Sequence, residues 1–390
     1  MTASFVYDAV RTPFGRHGHG LAGLRPDDLA ASTLAQLVAR QPELDPGRID
    51  DVVMGAANQA GEDNRNLARM AALLAGLPVG LPGVTVNRLC GSSLEAVVQA
   101  SRAVETGDAE IVLAGGVESM SRAPWVVTKP ERAYPSGHQT MHSTTLGWRM
   151  VNPRMPQEWT IALGQTAEIL AQEHGISRQA QDEFALRSHQ LAAAAWREGR
   201  YQAEIVRPPG LELDRDEGIR PDTSLAALTR LKPAFRSDGS VTAGNSSPLS
   251  DGASALIVAG EKAPGLGRPL ARIAGRGVAA IVPTHFGVAP VEAAQRALRR
   301  AGRSWAEVDL VELNEAFAAQ SLACLKLWPQ LDPAIVNVDG GAIALGHPLG
   351  ASGGRVIGHL AHRLAQRGGG VGLAAICIGV GQGLAVVLEG

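Results

Sequence analysis

Val84-Thr85-Val86-Asn87-Arg88-Leu89-Cys90-Gly91-Ser92-Ser93 is the stretch on which the fold of this chain turns. Val84-Thr85-Val86 is β-branched throughout and reads as a strand. Ser92 to about Val104 has helical apolar spacing, and Glu110-Ile111-Val112-Leu113-Ala114 returns as a strand that closes at Gly115-Gly116. Strand, turn, helix and strand in this order make the repeating unit of an α/β protein. Its one reactive side chain, Cys90, sits where the strand ends and the helix begins. Free N–H groups and the helix dipole favour a thiolate there; a buried, inert cysteine is the other reading of such a position.

Upstream, Phe5 to Val10 reads as a strand, Pro26 to Val38 as a helix with Asp27 and Asp28 in its first turn, Ile49 to Gly55 as a strand and Arg65 to Ala75 as a helix. The C-terminal part repeats the plan. Ala334 to Val338 reads as a strand, Gly341 to Gly350 as a glycine-rich turn carrying His347, about Ser352 to Gln366 as a helix, and Val371 to Ile376 as the closing strand. The two parts look like an internal duplication. Between them, residues 118 to 248 change character. Helices are expected at Ile161 to Glu173 and Arg178 to Tyr201, the latter with Phe184, Ser188, Leu191 and Ala195 on one face, among irregular stretches such as Arg207-Pro208-Pro209-Gly210. Such an insertion builds a lid or ligand platform, or else a structural or oligomer-forming appendage.

Composition narrows the function classes. A chain of 390 residues with 45% hydrophobic and 19% charged residues has material for two or three domains. Aromatics are only 4% against 46 glycines, so small residues must fill the core. A net charge of −2 without a basic run argues against a nucleic-acid partner. No secretory leader and no membrane-spanning run is read, and three cysteines without a pairing pattern fit a reducing cytoplasm.

His347 lies between Gly346 and Pro348, in a turn rather than on an apolar helix face, and a neutral imidazole there could take a proton from a thiol. Cys377 follows a buried strand and precedes Gly379, Gly381 and Gly383; it is either a second reactive thiol or a strand-end core residue. Cys324, in the apolar run Phe317 to Leu327, reads as core. Asn314, after the strand-like Val308 to Leu313, is either a helix N-cap or a group that holds an active-site water. No metal-ligand spacing is present, so no metal is expected.

Five motifs in order, Val86 to Ser93, Gly115 to Ser121, Asn314 to Ala318, Gly340 to Gly350 and Cys377 to Gly383, resemble those of the thiolase family of acetyl-CoA acyltransferases and acetyltransferases. The resemblance starts at Arg11-Thr12-Pro13-Phe14-Gly15 and covers essentially the whole chain. It implies an α/β thiolase fold: a duplicated five-layer αβαβα core with an inserted loop domain that binds CoA, assembled as a homodimer or homotetramer. The expected division is 1–117 with 249–268 as the first half, 118–248 as the loop domain and 269–390 as the second half. It further implies Cys90 as the acylated nucleophile, His347 as its base and Cys377 as the acid/base at the α-carbon. Asn314 would hold a water and, with His347, stabilise the enolate, while the N–H groups of Cys90 and Gly379 would stabilise the tetrahedral intermediate. Arg220, Phe235, Ala243, Ser247, Leu163, Ala316 and Phe317 would line the CoA and acyl site. CoA and acyl-CoA enter as substrates, and no tightly bound cofactor is expected.

The implied activity is reversible thiolysis of 3-oxoacyl-CoA, as in fatty-acid β-oxidation. A condensing enzyme of the ketosynthase type would pair its cysteine with two histidines, which Cys377 argues against. A non-catalytic acyl-CoA-binding protein would lack one reactive residue, and none is missing. Departures from the common pattern are Val380 in place of glycine, Phe286 in place of methionine, and Leu163-Gly164-Gln165-Thr166. Asn58 to Asn66 and Thr144 to Arg149 are similar to segments of 3-oxoadipyl-CoA thiolases of aromatic degradation and equally to those of bacterial general acetyl-CoA acyltransferases. A dicarboxylic substrate would call for a cation at the end of the acyl pocket, with Arg149 or Arg154 as the candidate, each equally readable as a surface or CoA-phosphate contact.

Overall fold

The computed structural model describes residues 2–390, so Met1, with which the expected first half opens, lies outside the described residues. The first half runs β1 (Ser4–Arg11), α1 (Pro26–Ala39), β2 (Asp51–Gly55), α2 (Leu67–Leu74), β3 (Gly83–Val86), α3 (Ser92–Thr106) and β4 (Ile111–Ser119). The inserted stretch contains α4 (Leu163–Glu173) and α5 (Arg178–Arg197), after which β5 (Ser250–Gly260) completes the first half. The second half runs β6 (Ala271–Ala280), α6 (Ala289–Ala301), β7 (Leu310–Leu313), α7 (Ala318–Leu327), α8 (Leu349–Arg367), β8 (Val371–Ile378) and β9 (Gln382–Glu389).

Strand order shows the duplication. The first half reads β3-β2-β4-β5-β1, with β2 parallel to β3 and β4 and the remaining pairs antiparallel. The second reads β7-β8-β9-β6, with β7 parallel to β8 and the remaining pairs antiparallel. The two sheets join along a short seam where Phe5 and Val6 meet Arg272 and Ala271. Leu29, Leu34 and Leu67 pack with Met54 and Leu113 on one outer face; Ala293, Leu298 and Trp328 pack with Leu373 and Val387 on the other. Between the sheets, Leu94 and Val97 of α3 and Ile357 and Leu360 of α8 share one core with Leu256 and Ile376. Helices, sheet, helices, sheet, helices: these are five layers. A fully buried leucine contributes about 1.5–3 kcal/mol, and the central layer is buried from both sides.

Small residues make that central layer possible. A Cβ on Gly353 of α8 would lie 2.5 Å from the backbone nitrogen of Leu94 on α3, so the two helices touch through glycine. This is where the glycine-rich, aromatic-poor composition is used.

One expected strand is absent. Ala334 to Val338 does not pair as a strand: Pro333–Ile335 is a 3-10 turn, Val336 alone bridges Val311, and Asn337 turns left-handed at φ 49°. The Asn337 side chain takes over the missing ladder, accepting from the Leu313 N–H at 2.8 Å and donating to the Leu313 carbonyl at 2.9 Å. Helix α8 begins at Leu349 rather than Ser352, and α5 stops at Arg197 rather than Tyr201. Strand β4 continues to Ser119, two residues beyond the expected boundary.

The insertion is clamped to both halves by buried charge. Arg11 of β1 donates to Glu204 at 2.6 Å and to Asp216 at 2.7 Å, both from the inserted stretch. His359 of α8 bonds Glu204 at 2.8 Å and Asp339 at 3.1 Å. Burial works to lower the His359 pKa, but these carboxylates outweigh it and raise it to about 10.

Candidate active site

Cys90 is buried in a 3-10 turn, Leu89–Gly91, between β3 and α3. Leu89 sits at φ 46°, so the chain bends sharply just before the thiol. Ser92 staples the turn, accepting from the Arg88 N–H at 2.9 Å and donating to the Leu89 carbonyl at 2.6 Å. Of the two readings open for Cys90, the buried thiol is the resting state. Burial pushes the thiol up to about 11, the N–H groups of Gly379 and of Cys90 itself pull it down less, and the Glu118 carboxylate adds to the rise. The sulfur therefore rests protonated.

Cys377 lies inside β8, opposite Gly383 on β9, rather than after the strand. Burial, followed by the neighbouring Cys90 and Cys324 thiols, holds its pKa well above the ordinary value, which suits a proton donor. Phe286 and Ala316 share its apolar cluster, edged by Leu163 and Phe317. Cys324 is buried on α7 with its thiol on the Gly287 carbonyl at 3.2 Å, as a core residue.

His347 stands between a short helix, Ala342–Leu345, and α8. Gly346 before it is at φ 115°, which a side chain would strain. Its Nδ1 is 2.6 Å from Ser352 Oγ, and that hydroxyl donates to the Pro348 carbonyl at 2.9 Å. With the serine proton so used, His347 Nδ1–H donates and Nε2 keeps its lone pair. Burial, then the Arg355 guanidinium, lowers the imidazole pKa to about 3, so it is neutral. Asn314 is not a helix N-cap: α7 begins four residues later, capped by Phe317. Its Nδ2 lies 3.4 Å from His347 Nδ1 and 3.5 Å from Nε2.

The two turns abut. Gly354 N–H donates to Ser93 Oγ at 2.8 Å, and the Glu118 carboxylate accepts from the N–H groups of Gly350 and Ala57 at 2.9 Å and Asn58 at 3.1 Å. Burial raises Glu118 to about 7. Behind Asn314, the buried Arg355 donates to Glu312 at 2.8 Å and reaches Asn314 Oδ1 at 3.5 Å.

A second group of expected residues assembles beside this one. Phe235 meets Phe317 edge-on at 6.1 Å between centroids, and Ser247 Oγ donates to the Ala316 carbonyl at 3.1 Å. Leu163 joins them through the Cys377 cluster. Ala243 is exposed nearby in the same loop. Arg220 stands apart: it is exposed, its backbone N–H is on His189 Nδ1 at 3.2 Å, and no hydrogen bond or ion pair ties its side chain to this group.

Sequence reasoning missed Ser352, Arg355 and Glu118. Ser352 and Arg355 are three apart on the helix that follows His347, so helical spacing would have placed them on one face. Glu118 stood inside a quoted motif, but its partners come from three other segments.

The family models for the N-terminal and C-terminal domains of thiolase match residues 4–262 and 267–390. The chain belongs to the thiolase family. This thiolase is 50% identical over 401 residues to the 3-oxoadipyl-CoA/3-oxo-5,6-dehydrosuberyl-CoA thiolase of Escherichia coli strain K12, covering 100% of both chains. It is 50% identical over 396 residues to the beta-ketoadipyl-CoA thiolase of Pseudomonas aeruginosa, covering 99% of this chain and 98% of the relative. Among solved structures, human mitochondrial 3-ketoacyl-CoA thiolase in complex with CoA superposes with a TM-score of 0.92 at 39% identity, over 100% of this chain and 98% of that one. The protein is thus an acyltransferase that exchanges acyl groups between CoA thioesters through an acyl-cysteine, by thiolysis of 3-oxoacyl-CoA or the reverse Claisen condensation.

Proposed function

We propose that Cys90, His347 and Cys377 carry this reaction and that its substrate is 3-oxoadipyl-CoA. The packing of the Cys90 turn on the end of β8, where a Cβ built on Gly91 would lie 2.5 Å from Ile378 and one on Gly379 3.4 Å from Leu89, sets Cys90 beside the strand that carries Cys377 and is the observation that carries the mechanism. His347 Nε2 takes the Cys90 proton, and the sulfur attacks the 3-oxo carbon. The N–H groups of Cys90 and Gly379 take the oxyanion. The C2–C3 bond breaks as the carbonyl re-forms, leaving an acyl-Cys90 thioester and the enolate of acetyl-CoA. His347, now protonated, and a water on Asn314 face the enolate oxygen, and Cys377 delivers the proton to its α-carbon. The thiol of a second CoA then attacks acyl-Cys90, and its proton returns through the same groups.

Two neutral resting groups favour this order. A thiolate and an imidazolium in a buried site would each lose hydration, so the charge pair forms only when substrate arrives to use it.

The relatives named for 3-oxoadipyl-CoA favour the dicarboxylic alternative over β-oxidation of fatty acids. Residues 118–248 act as the CoA-binding loop domain, with Phe235, Ala243, Ser247, Leu163, Ala316 and Phe317 along the pantetheine and Arg220 toward the nucleotide end. A cytoplasmic homodimer or homotetramer completes the reading; no helix among the described residues is long and apolar enough to cross a membrane.

The test is CoA-dependent thiolysis of 3-oxoadipyl-CoA, acetoacetyl-CoA and a medium-chain 3-oxoacyl-CoA, with Cys90→Ala alongside. The dicarboxylic substrate should win in kcat/KM, and the variant should cleave none. A preference for the medium chain would return the enzyme to fatty-acid thiolysis.

A further inference from the structure

Two stretches far apart in sequence, Asn58 to Asn66 and Thr144 to Arg149, meet in the fold. Asn58 Nδ2 donates to the Thr144 carbonyl at 3.2 Å and hydroxyl at 2.9 Å, and Arg149 Nη2 donates to Asn58 Oδ1 at 3.2 Å. The Asn58 backbone is held in turn by Glu118, whose carboxylate also binds the N–H of Gly350 at the start of α8.

Trp148, next to Arg149, lies against the Cys90 turn. A Cβ built on Gly379 would meet the Trp148 ring at 3.3 Å and Leu89 at 3.4 Å, so the indole lies against the residues that flank Cys90 and follow Cys377. The indole N–H is spent on the Ile161 carbonyl at 3.2 Å, which leaves an apolar wall facing the site.

Arg149 differs from the other cations around this wall. Arg88 is engaged by Glu95 at 2.9 Å and by Gln382 at 2.8 Å, and Arg122 is held by Glu62 at 2.5 Å. Arg154 is exposed. Arg149 is half-buried, its hydrogen-bond partner is a neutral amide, and among the described residues no carboxylate comes within ion-pair distance of it. A guanidinium offers five donors in a planar fork, and four of these are free of side-chain partners here. A half-buried cation without a counter-ion is matched to a carboxylate brought by the substrate.

We propose that Arg149 binds the terminal carboxylate of the acyl chain, with the chain lying along Trp148 from Cys90 to the guanidinium. This rests on the dicarboxylic reading given above and names the group that would select for it. Thiolysis of 3-oxoadipyl-CoA leaves a succinyl group on Cys90, whose far carboxylate carbon stands roughly 4 Å from the thioester carbon when extended. A chain of equal length ending in methyl would bury the fork without a counter-ion, and sites built to bond a polar group reject such analogues strongly.

The experiment compares 3-oxoadipyl-CoA with 3-oxohexanoyl-CoA, equal in chain length but without the carboxylate, in the wild type, Arg149→Gln and Arg149→Lys. Arg149→Gln should lose roughly 30- to 100-fold more kcat/KM on the dicarboxylic than on the neutral substrate. Arg149→Lys should fall between, keeping the charge but not the fork. Equal losses on both substrates would overturn the proposal and make Arg149 a structural residue; equal retention would overturn it too. If the wild type itself prefers 3-oxohexanoyl-CoA, the dicarboxylic reading fails first, and that result is read without any variant.

Discussion

The turn that carries Cys90 and the turn that carries His347 occupy equivalent places in the two halves, yet their charged neighbours are opposite in sign. Each follows the outer parallel strand position and leads into the central helix of its half. The Cys90 turn is short, and a carboxylate, Glu118, lies behind it. The His347 turn is a long excursion with its own short helix, and a guanidinium, Arg355, lies behind it. A carboxylate disfavours a thiolate and a guanidinium disfavours an imidazolium, so burial and charge act together in both turns to keep the resting groups neutral. A duplicated fold has thus been loaded with an acid on one side and a base on the other, each silent until the substrate joins them.

The largest test of this pairing is removal of either reactive group. Cys90→Ala should lower kcat by ~10⁴-fold or more, with no acyl adduct by mass spectrometry. His347→Ala should cost ~10²–10⁴-fold while still allowing slow acylation at high pH. A His347→Ala enzyme of wild-type rate would break the comparison outright.

The next test removes the opposite-sign neighbour. Deleting Arg355 alone strands the Glu312 carboxylate, so Arg355→Met is paired with Glu312→Gln. The imidazole works as a base only when neutral and fails below its own pKa. With the guanidinium gone, that pKa moves up from about 3, so the acid limb of kcat/KM should move to higher pH. A limb left in place would show that Arg355 only supports packing.

The third sharpens the contrast between site and scaffold. His359 is raised to about 10 in the folded chain, against an ordinary value near 6.5. A group raised on folding contributes its full stability below the unfolded pKa and loses it as pH rises through the folded one. The melting temperature should therefore fall from about pH 6.5 to 10, and His359→Gln should flatten that slope while lowering stability at neutral pH.

The smallest effect concerns Val380. It sits at φ 62°, left-handed backbone that a β-branched residue enters at a cost of order 1–2 kcal/mol. Val380→Gly should raise the melting temperature by a few degrees. The same strain next to Gly379 holds the oxyanion donor's turn, so any accompanying drop in kcat would show that the strain serves the site.

The residues bear on how such a chain can be read. β-Branching in Val84 to Val86 and helical spacing after Ser92 were enough to place Cys90 between a strand and a helix. The same reasoning failed at Ala334 to Val338, because Pro333 and the left-handed Asn337 leave one pairing residue, and an asparagine side chain replaced the ladder. It left Cys90 open between a thiolate and a buried thiol, since the helix start is visible in sequence but the burial that outweighs it is not.

Local order along the chain settled the elements, their duplication and the type of each reactive side chain, because backbone preference and glycine placement act over a few residues. Which charges stand behind those side chains was decided by tertiary packing alone. Glu118 meets Gly350 across 232 positions, and Arg149 meets Asn58 across 91. Protonation follows from burial and charge at distances of a few ångströms, and a linear sequence does not contain those distances.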